Sequence, residues 1–214
     1  MILTDEVEAK SWLLDLPEWD ALAAERLETL TALLAEENAK QNLVSAASLS
    51  AVWRRHIADS AQLLRFVPRE TSSPWLDLGT GAGFPGLVIA VLRPECAVVM
   101  AESRGRRIEW LERVAATLGL ANAEIAGVTV EALPRRPFRT ISARAFAPLP
   151  KLLELSAGFS TSDTVWLLPK GRSARQELSK LNGWNHVFHV EQSLTDPDSG
   201  VIVGTLAGRK GRKA

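Results

Sequence analysis

An α/β fold is the architecture this sequence predicts: a mainly parallel sheet covered by helices on both faces, with an antiparallel strand at one edge and a helical extension ahead of it. Three observations predict it. Residues 5–67 carry apolar side chains at three- and four-residue spacing, the period of helices that bury one face. From Pro74 onward, short apolar runs alternate with helical segments, the pattern of strands joined by crossovers. The first of those runs ends in a turn with four glycines, at Gly79, Gly81, Gly83 and Gly86. A chain of 214 residues with 46% hydrophobic and 23% charged side chains can bury a full core without staples.

The elements follow in order. Trp19, Leu22, Ala23, Leu27, Leu30, Leu33 and Leu34 mark a first amphipathic helix. A second is predicted over residues 49–66, with Ser48 as its N-cap and Val52, Trp53, His56, Ile57, Ser60 and Leu64 on related faces. Pro68 and the run Thr71-Ser72-Ser73-Pro74 then break the helical pattern. Strands are predicted at 75–79, 96–102, 123–126, 139–145 and 164–168, with helices at 84–92, 104–118 and 148–158 between them. A helix near 173–181 precedes strands near 186–192 and 201–206, close enough in sequence to pair as an antiparallel hairpin at one edge. The expected division is a helical extension (1–70), a sheet-bearing domain (71–208) and a basic tail (209–214).

Bulk chemistry narrows the function. Cys96 is the single cysteine, so neither a disulfide framework nor a paired-cysteine metal site is available. His56, His186 and His189 form no ligand pair, and no metal is expected. The acidic start lacks the pattern of a signal peptide, and no apolar run is long enough for a membrane span, so a cytoplasmic protein is expected, acting as a monomer. The formal net charge is zero but unevenly spread. Residues 1–40 hold ten acids and three bases, whereas Arg135, Arg136, Arg139, Arg144 and Lys151 cluster with no acid between them, and Arg209, Lys210, Arg212 and Lys213 end the chain. Segregated charge of this kind permits a local basic face for nucleic acid.

The glycine turn is the most informative segment. Asp77-Leu78-Gly79-Thr80-Gly81-Ala82-Gly83-Phe84-Pro85-Gly86 sits at the first strand-to-helix turn, where α/β sheets bind ligands. Two readings fit it. Gly81 to Gly86 matches the GxGxxG dinucleotide fingerprint. Asp77 to Gly83 matches the DxGxGxG first motif of class I methyltransferases that use S-adenosylmethionine (SAM). Either ligand has ribose hydroxyls for an acid at the end of the second strand, and Glu102 stands there. Asp77 separates the readings: a carboxylate beside the turn is unwelcome to a pyrophosphate but suits the cationic amino group and sulfonium of SAM. The chain also has no tyrosine, which removes one route to hydride transfer, and no GxxxxGK[ST] phosphate loop. Arg144, at the end of an apolar strand, and Lys170, at the end of the next, lie on the same rim of the sheet and need partners there.

Beyond the turn, the chain resembles the RsmG (GidB) family of bacterial methyltransferases acting on guanine N7 in 16S ribosomal RNA of the small subunit. The resemblance runs from about residue 25 to about residue 206. It is carried by Asn38-Ala39-Lys40-Gln41-Asn42-Leu43, by Arg55-His56 followed by Asp59-Ser60, and by the glycine turn. It continues through Glu102-Ser103, Arg106-Arg107, Val130-Glu131, Arg144-Ala145-Phe146-Ala147 and Lys170-Gly171. The resemblance implies a class I SAM-methyltransferase Rossmann-like sheet with SAM as cofactor and 16S rRNA or the small ribosomal subunit as partner. It implies a cofactor site of Gly79, Gly81, Phe84, Glu102, Ser103, Val130, Glu131 and Arg144, and an RNA side of Asn42, His56, Arg144 and Lys170. Glu102 stands where many members have Asp, and Thr129 where some have Arg. Three other readings stay open: a methyltransferase for another substrate, a non-catalytic RNA- or ribosome-binding factor with the same fold, and a nicotinamide oxidoreductase.

Overall fold

The computed structural model describes residues 1–211; Arg212 and Lys213 of the basic tail lie outside the described residues. Helix α1 (Glu6–Leu14) is capped by Asp5, whose carboxylate accepts the Glu8 amide at 2.8 Å. Helix α2 (Ala21–Asn38) is capped by Asp20 in the same way, through the Ala23 amide at 2.7 Å. Its buried stripe is Ala23, Leu27, Leu30 and Leu34, as the spacing predicts; Leu22, expected on that stripe, is half exposed.

The expected single helix over 49–66 is instead a broken run. Ser45, not Ser48, caps a short helix α3 (Ala46–Leu49). A wide π-type turn (Trp53–Ala58), a short α4 (Asp59–Ala61) and a tight 3-10 stretch (Gln62–Phe66) follow. The physical reason comes from α1. Glu6 accepts the amides of Trp53 and Arg54 at 3.0 and 2.8 Å, so these donors are satisfied from outside the run and the helix is free to restart there.

The sheet then builds in sequence. Strand β1 (Trp75–Leu78), helix α5 (Gly86–Leu92), β2 (Val98–Ala101), α6 (Gly105–Thr117), β3 (Ala123–Ala126) and β4 (Thr140–Ser142) come first. Helix α7 (Leu149–Ser156), β5 (Val165–Lys170), α8 (Ala174–Ser179), β6 (Trp184–His186), β7 (His189–Gln192) and β8 (Gly200–Arg209) complete it. The strand order is β3-β2-β1-β4-β5-β8-β6, with β7 also on β8. The pairs from β3 to β5 are parallel, and β8 runs antiparallel to β5 and to both β6 and β7. The strand expected over 186–192 is thus two short ones, separated where Phe188 turns to pack edge-on against Trp166 at 6.4 Å. Strand β4 stops at Ser142, short of the expected 145, because Ala145 adopts a left-handed φ of 52° and Arg144 turns off the sheet.

Side chains alternate between the two faces of the strands. Trp75, Val98, Met100 and Leu167 join one core with α1, α2, the 53–66 run, α5 and α6. Leu76, Leu78, Val99, Ile141, Trp166 and Leu168 join the other, beneath α7 and α8. The N-terminal helices therefore cover one face of the sheet and share its core. A buried ion pair between Arg93 and Glu18, 3.1 Å apart, ties them to the end of α5. No helix among the described residues is long and apolar enough to cross a membrane.

Candidate functional site

The glycine turn is built from below by Asp77. This carboxylate is fully buried. Its Oδ2 accepts the Gly86 amide at 3.0 Å, at the start of α5, and its Oδ1 accepts the Ser142 hydroxyl at 2.7 Å. Ser142 in turn accepts the Trp75 indole N–H at 2.8 Å. Burial pushes the Asp77 carboxyl up to about 6, and the Ser142 and Gly86 hydrogen bonds partly offset that rise. Asp77 lines neither of the cavities described below, so it organises the turn rather than facing a ligand. The charge argument made from sequence thus identifies the right segment for a different physical reason.

Above the turn lies a cleft of about 320 Å³, within the size range of small-ligand sites. Its lining includes Gly79, Glu102, Ser103, Val130 and Glu131, five of the residues implied for the cofactor. Thr129, Arg107, Ala145 and Phe146 are also in its walls. Glu102, at the end of β2, is almost wholly buried. Its Oε1 accepts the amides of Ser103 and Arg104 at 2.8 and 3.0 Å, and its Oε2 accepts the Gly81 amide at 3.1 Å. Arg107 Nη1 stands 3.8 Å from the same Oε2. One carboxylate therefore locks the glycine turn to the start of α6 and keeps a lone pair of Oε2 for a ligand hydroxyl. Gly81, at φ +63°, makes that amide contact, and a Cβ there would stand 3.3 Å from Arg107 Nη1 and 3.8 Å from the Gly79 carbonyl. At Gly79, also left-handed, a Cβ would collide with the Phe146 ring.

Gly81, Phe84 and Arg144, the other three residues implied for the cofactor, do not line this cleft, and Gly81 reaches it only through its bond to Glu102. Phe84 is buried and stacks against His56, ring centroids 4.9 Å apart, with the Arg144 guanidinium over its ring at 5.4 Å. The family resemblance implies Phe84 at the cofactor pocket, but its side chain turns inward beneath the neighbouring site.

That neighbour is a larger cavity of about 700 Å³, lined by Arg55, His56, Asp59, Arg144, Lys170 and Glu177, with Ser45 and Ser48 on its α3 side. It brings together three of the four residues implied for the RNA side; Asn42 is exposed and lines neither cavity. Each cation has an acid. Arg144 is 3.4 Å from Asp59, Lys170 is 2.9 Å from Glu177, and Arg55 is 3.1 Å from Asp196. Arg144 also donates to His56 Nδ1 at 3.0 Å and to the Arg55 carbonyl at 3.2 Å. With Nδ1 accepting, the His56 proton sits on Nε2, which has no partner. Burial first, and then the charges of Arg144 and Arg55, push the His56 imidazole down to about 3, so it is neutral.

Several residues of this site escaped reading from sequence. Asp59, within a quoted motif, matters as the counter-ion of Arg144, 85 residues away, and Glu177 as that of Lys170 across the turn from β5 to α8; residue type and spacing announce neither pairing. Arg107 and Phe146 lay within quoted motifs, but only the fold turns them toward the cleft.

The family model described as GidB, rRNA small subunit methyltransferase G, matches residues 23–196. The chain belongs to this family. A relative from Novosphingobium aromaticivorans, named ribosomal RNA small subunit methyltransferase G, is 54% identical over 98% of this chain and 92% of that protein. One of the same name from Zymomonas mobilis is 44% identical over 88% of each. Among solved structures, a methyltransferase from Geobacter sulfurreducens superposes with a TM-score of 0.56 at 14% identity, covering 97% of this chain and 99% of that one. Fibrillarin from Aeropyrum pernix, in complex with natively bound S-adenosyl-L-methionine, gives 0.55 at 14% identity over 71% of this chain and 75% of that one. At such identities the likeness is one of fold, and the fold is the one the RsmG family resemblance implied.

Proposed function

We infer that this chain transfers a methyl group from SAM to N7 of a guanine in small-subunit (16S) ribosomal RNA. One observation carries the reading: a glycine-and-carboxylate cleft and a larger polar cavity meet at a common wall, Ala145 and Phe146, so a donor and an acceptor can approach each other from opposite sides. The residues of the smaller cleft suit SAM. Glu102 would take the ribose hydroxyls, Val130 and Glu131 would border the adenine, and Gly79, lacking a Cβ, lets the Phe146 ring close against the turn at the edge of the cleft.

When bound, SAM supplies an electrophilic methyl on its sulfonium. Guanine N7 offers an in-plane lone pair and no proton, so the transfer starts without a general base. The larger cavity accords with this: its histidine is buried, neutral and held by Arg144. The chain's contribution is alignment, a term worth roughly 7–11 kcal/mol in favourable cases. Arg144 and Lys170 are held by Asp59 and Glu177, so their first task is to shape the cavity walls. The guanine must be unpaired or splayed out to enter, because N7 lies deep in an A-form groove. The protein is proposed to act in the cytoplasm as a monomer, with the N-terminal helices as an extension of the sheet domain.

The test is methyl transfer from labelled SAM to small-subunit RNA, free and in subunits, from cells lacking this modification, with the modified base identified by mass spectrometry. Label on guanine N7 is expected. Label on another base or on none, with SAM still bound, would overturn the assignment.

A further inference from the structure

We propose that Phe146 is the platform on which the target guanine stacks, and that its ring face favours the positive charge the base acquires. This rests on the guanine-N7 reading and deepens it. Ala145 and Phe146 are the two residues common to both cavities, and only Phe146 offers a ring. The other ring in the larger cavity, His56, is committed: Phe84 stacks on it and Arg144 holds its Nδ1. Phe146 is half-buried and packs over Gly79, at the mouth of the cofactor cleft.

Its position is held on both sides. Before it, Arg144 is fixed by His56, Asp59 and the Arg55 carbonyl. After it, the Ala147 carbonyl accepts from Lys170 Nζ at 2.9 Å, and the Leu149 amide donates to Glu177 at 2.9 Å. Glu177 also accepts from Lys170 and from Ser173. Between these anchors Ala145 holds a left-handed φ of 52°, a conformation a non-glycine residue keeps only when its surroundings impose it. Lys170 and Glu177 are therefore positioning residues that act on Phe146 through the backbone.

The chemistry matches the placement. In the transfer the sulfur–methyl bond breaks and leaves its electron pair on sulfur, which becomes a thioether. The N7 lone pair forms the new nitrogen–carbon bond, no proton moves, and the positive charge passes from sulfur to the base. Attack occurs in the plane of the guanine, so both faces of the base are free for stacking. Unstacked RNA bases are commonly held on aromatic rings. A ring face also attracts a developing cation. The paired cations of the cavity do not oppose that charge, since Asp59, Glu177 and Asp196 balance them.

The experiment compares wild type with Phe146→Leu, Phe146→Ala and Phe146→Trp in the full chain. SAM affinity is measured by calorimetry, and single-turnover methylation of unmodified small-subunit RNA is measured at saturating SAM. Leu fills similar space without a π face. Both Leu and Ala are expected to slow methylation by roughly 5- to 150-fold, the range of one lost stacking contact, with SAM affinity within about threefold of wild type. Trp, which restores a π face, is expected to methylate faster than Leu and Ala. A Leu variant as fast as wild type, or a rate loss that only follows weaker SAM binding, would overturn the proposal. Failure of wild type itself to label guanine N7 would instead refute the function proposed above.

Discussion

Replacing His56 by Gln isolates one term in the pH dependence of stability. The imidazole is buried between Phe84 and Arg144, and its folded-state value lies near 3 against an ordinary 6.5. The unfolded chain therefore takes up a proton as pH falls through 6.5, while the folded chain refuses it until about pH 3. The unfolded state binds more protons in that window, so the histidine's contribution is present above pH 6.5 and is lost progressively as pH falls. Between pH 7 and pH 5 the loss amounts to about 2 kcal/mol. Asp77 acts with the opposite sign: its carboxyl, raised to about 6, is protonated first in the folded state, so acidification below pH 6 favours folding through that group. Asp77 is present in both proteins and cancels in the comparison. Gln stays neutral throughout and its carbonyl can still accept from Arg144. Urea unfolding of both proteins at pH 7 and pH 5 should show wild type losing about 2 kcal/mol more than the variant on acidification. Parallel profiles would refute the burial and tautomer assigned to His56.

Three further outcomes are expected. Gly81→Ala places a methyl at φ +63° with no backbone clash, so the protein should fold with a melting temperature about 2–4 °C lower, yet lose the thermal shift that SAM gives wild type. Glu102→Gln removes the charge from a carboxylate that accepts three amides, and SAM affinity by calorimetry should fall about tenfold or more. Glu18→Ala leaves Arg93 buried without its counter-ion, and should cost about 3 kcal/mol, read as a melting temperature about 6–12 °C lower. An unchanged melting temperature would mean that the N-terminal helices are held to α5 by packing alone.

Much of the fold is legible in local pattern, because period and punctuation are local properties. The strand at 123–126 matches its expected bounds, and α6 and α7 begin and end within a residue or two of theirs. Legibility fails where a distant group intervenes. Glu6 interrupts the helix expected over 49–66 by taking two of its amides. The strand expected to reach 145 ends at Ser142 because Arg144 leaves the sheet for His56 and Asp59.

The candidate site divides along the same line. By itself the sequence determined the alternating α/β order, the glycine turn that ends β1, the acid that ends β2 and the family, since these depend on residue type and spacing along the chain. Only the tertiary structure decided that Asp77 faces the start of α5 instead of the ligand. Nor could sequence decide that Phe84 lies beneath the larger cavity, that Arg144 and Lys170 are neutralised by Asp59 and Glu177, or that Phe146 stands where the two cavities meet. The physical reason is that charge pairing and side-chain direction depend on what burial brings within a few ångströms, and most of those neighbours are tens of residues away along the chain.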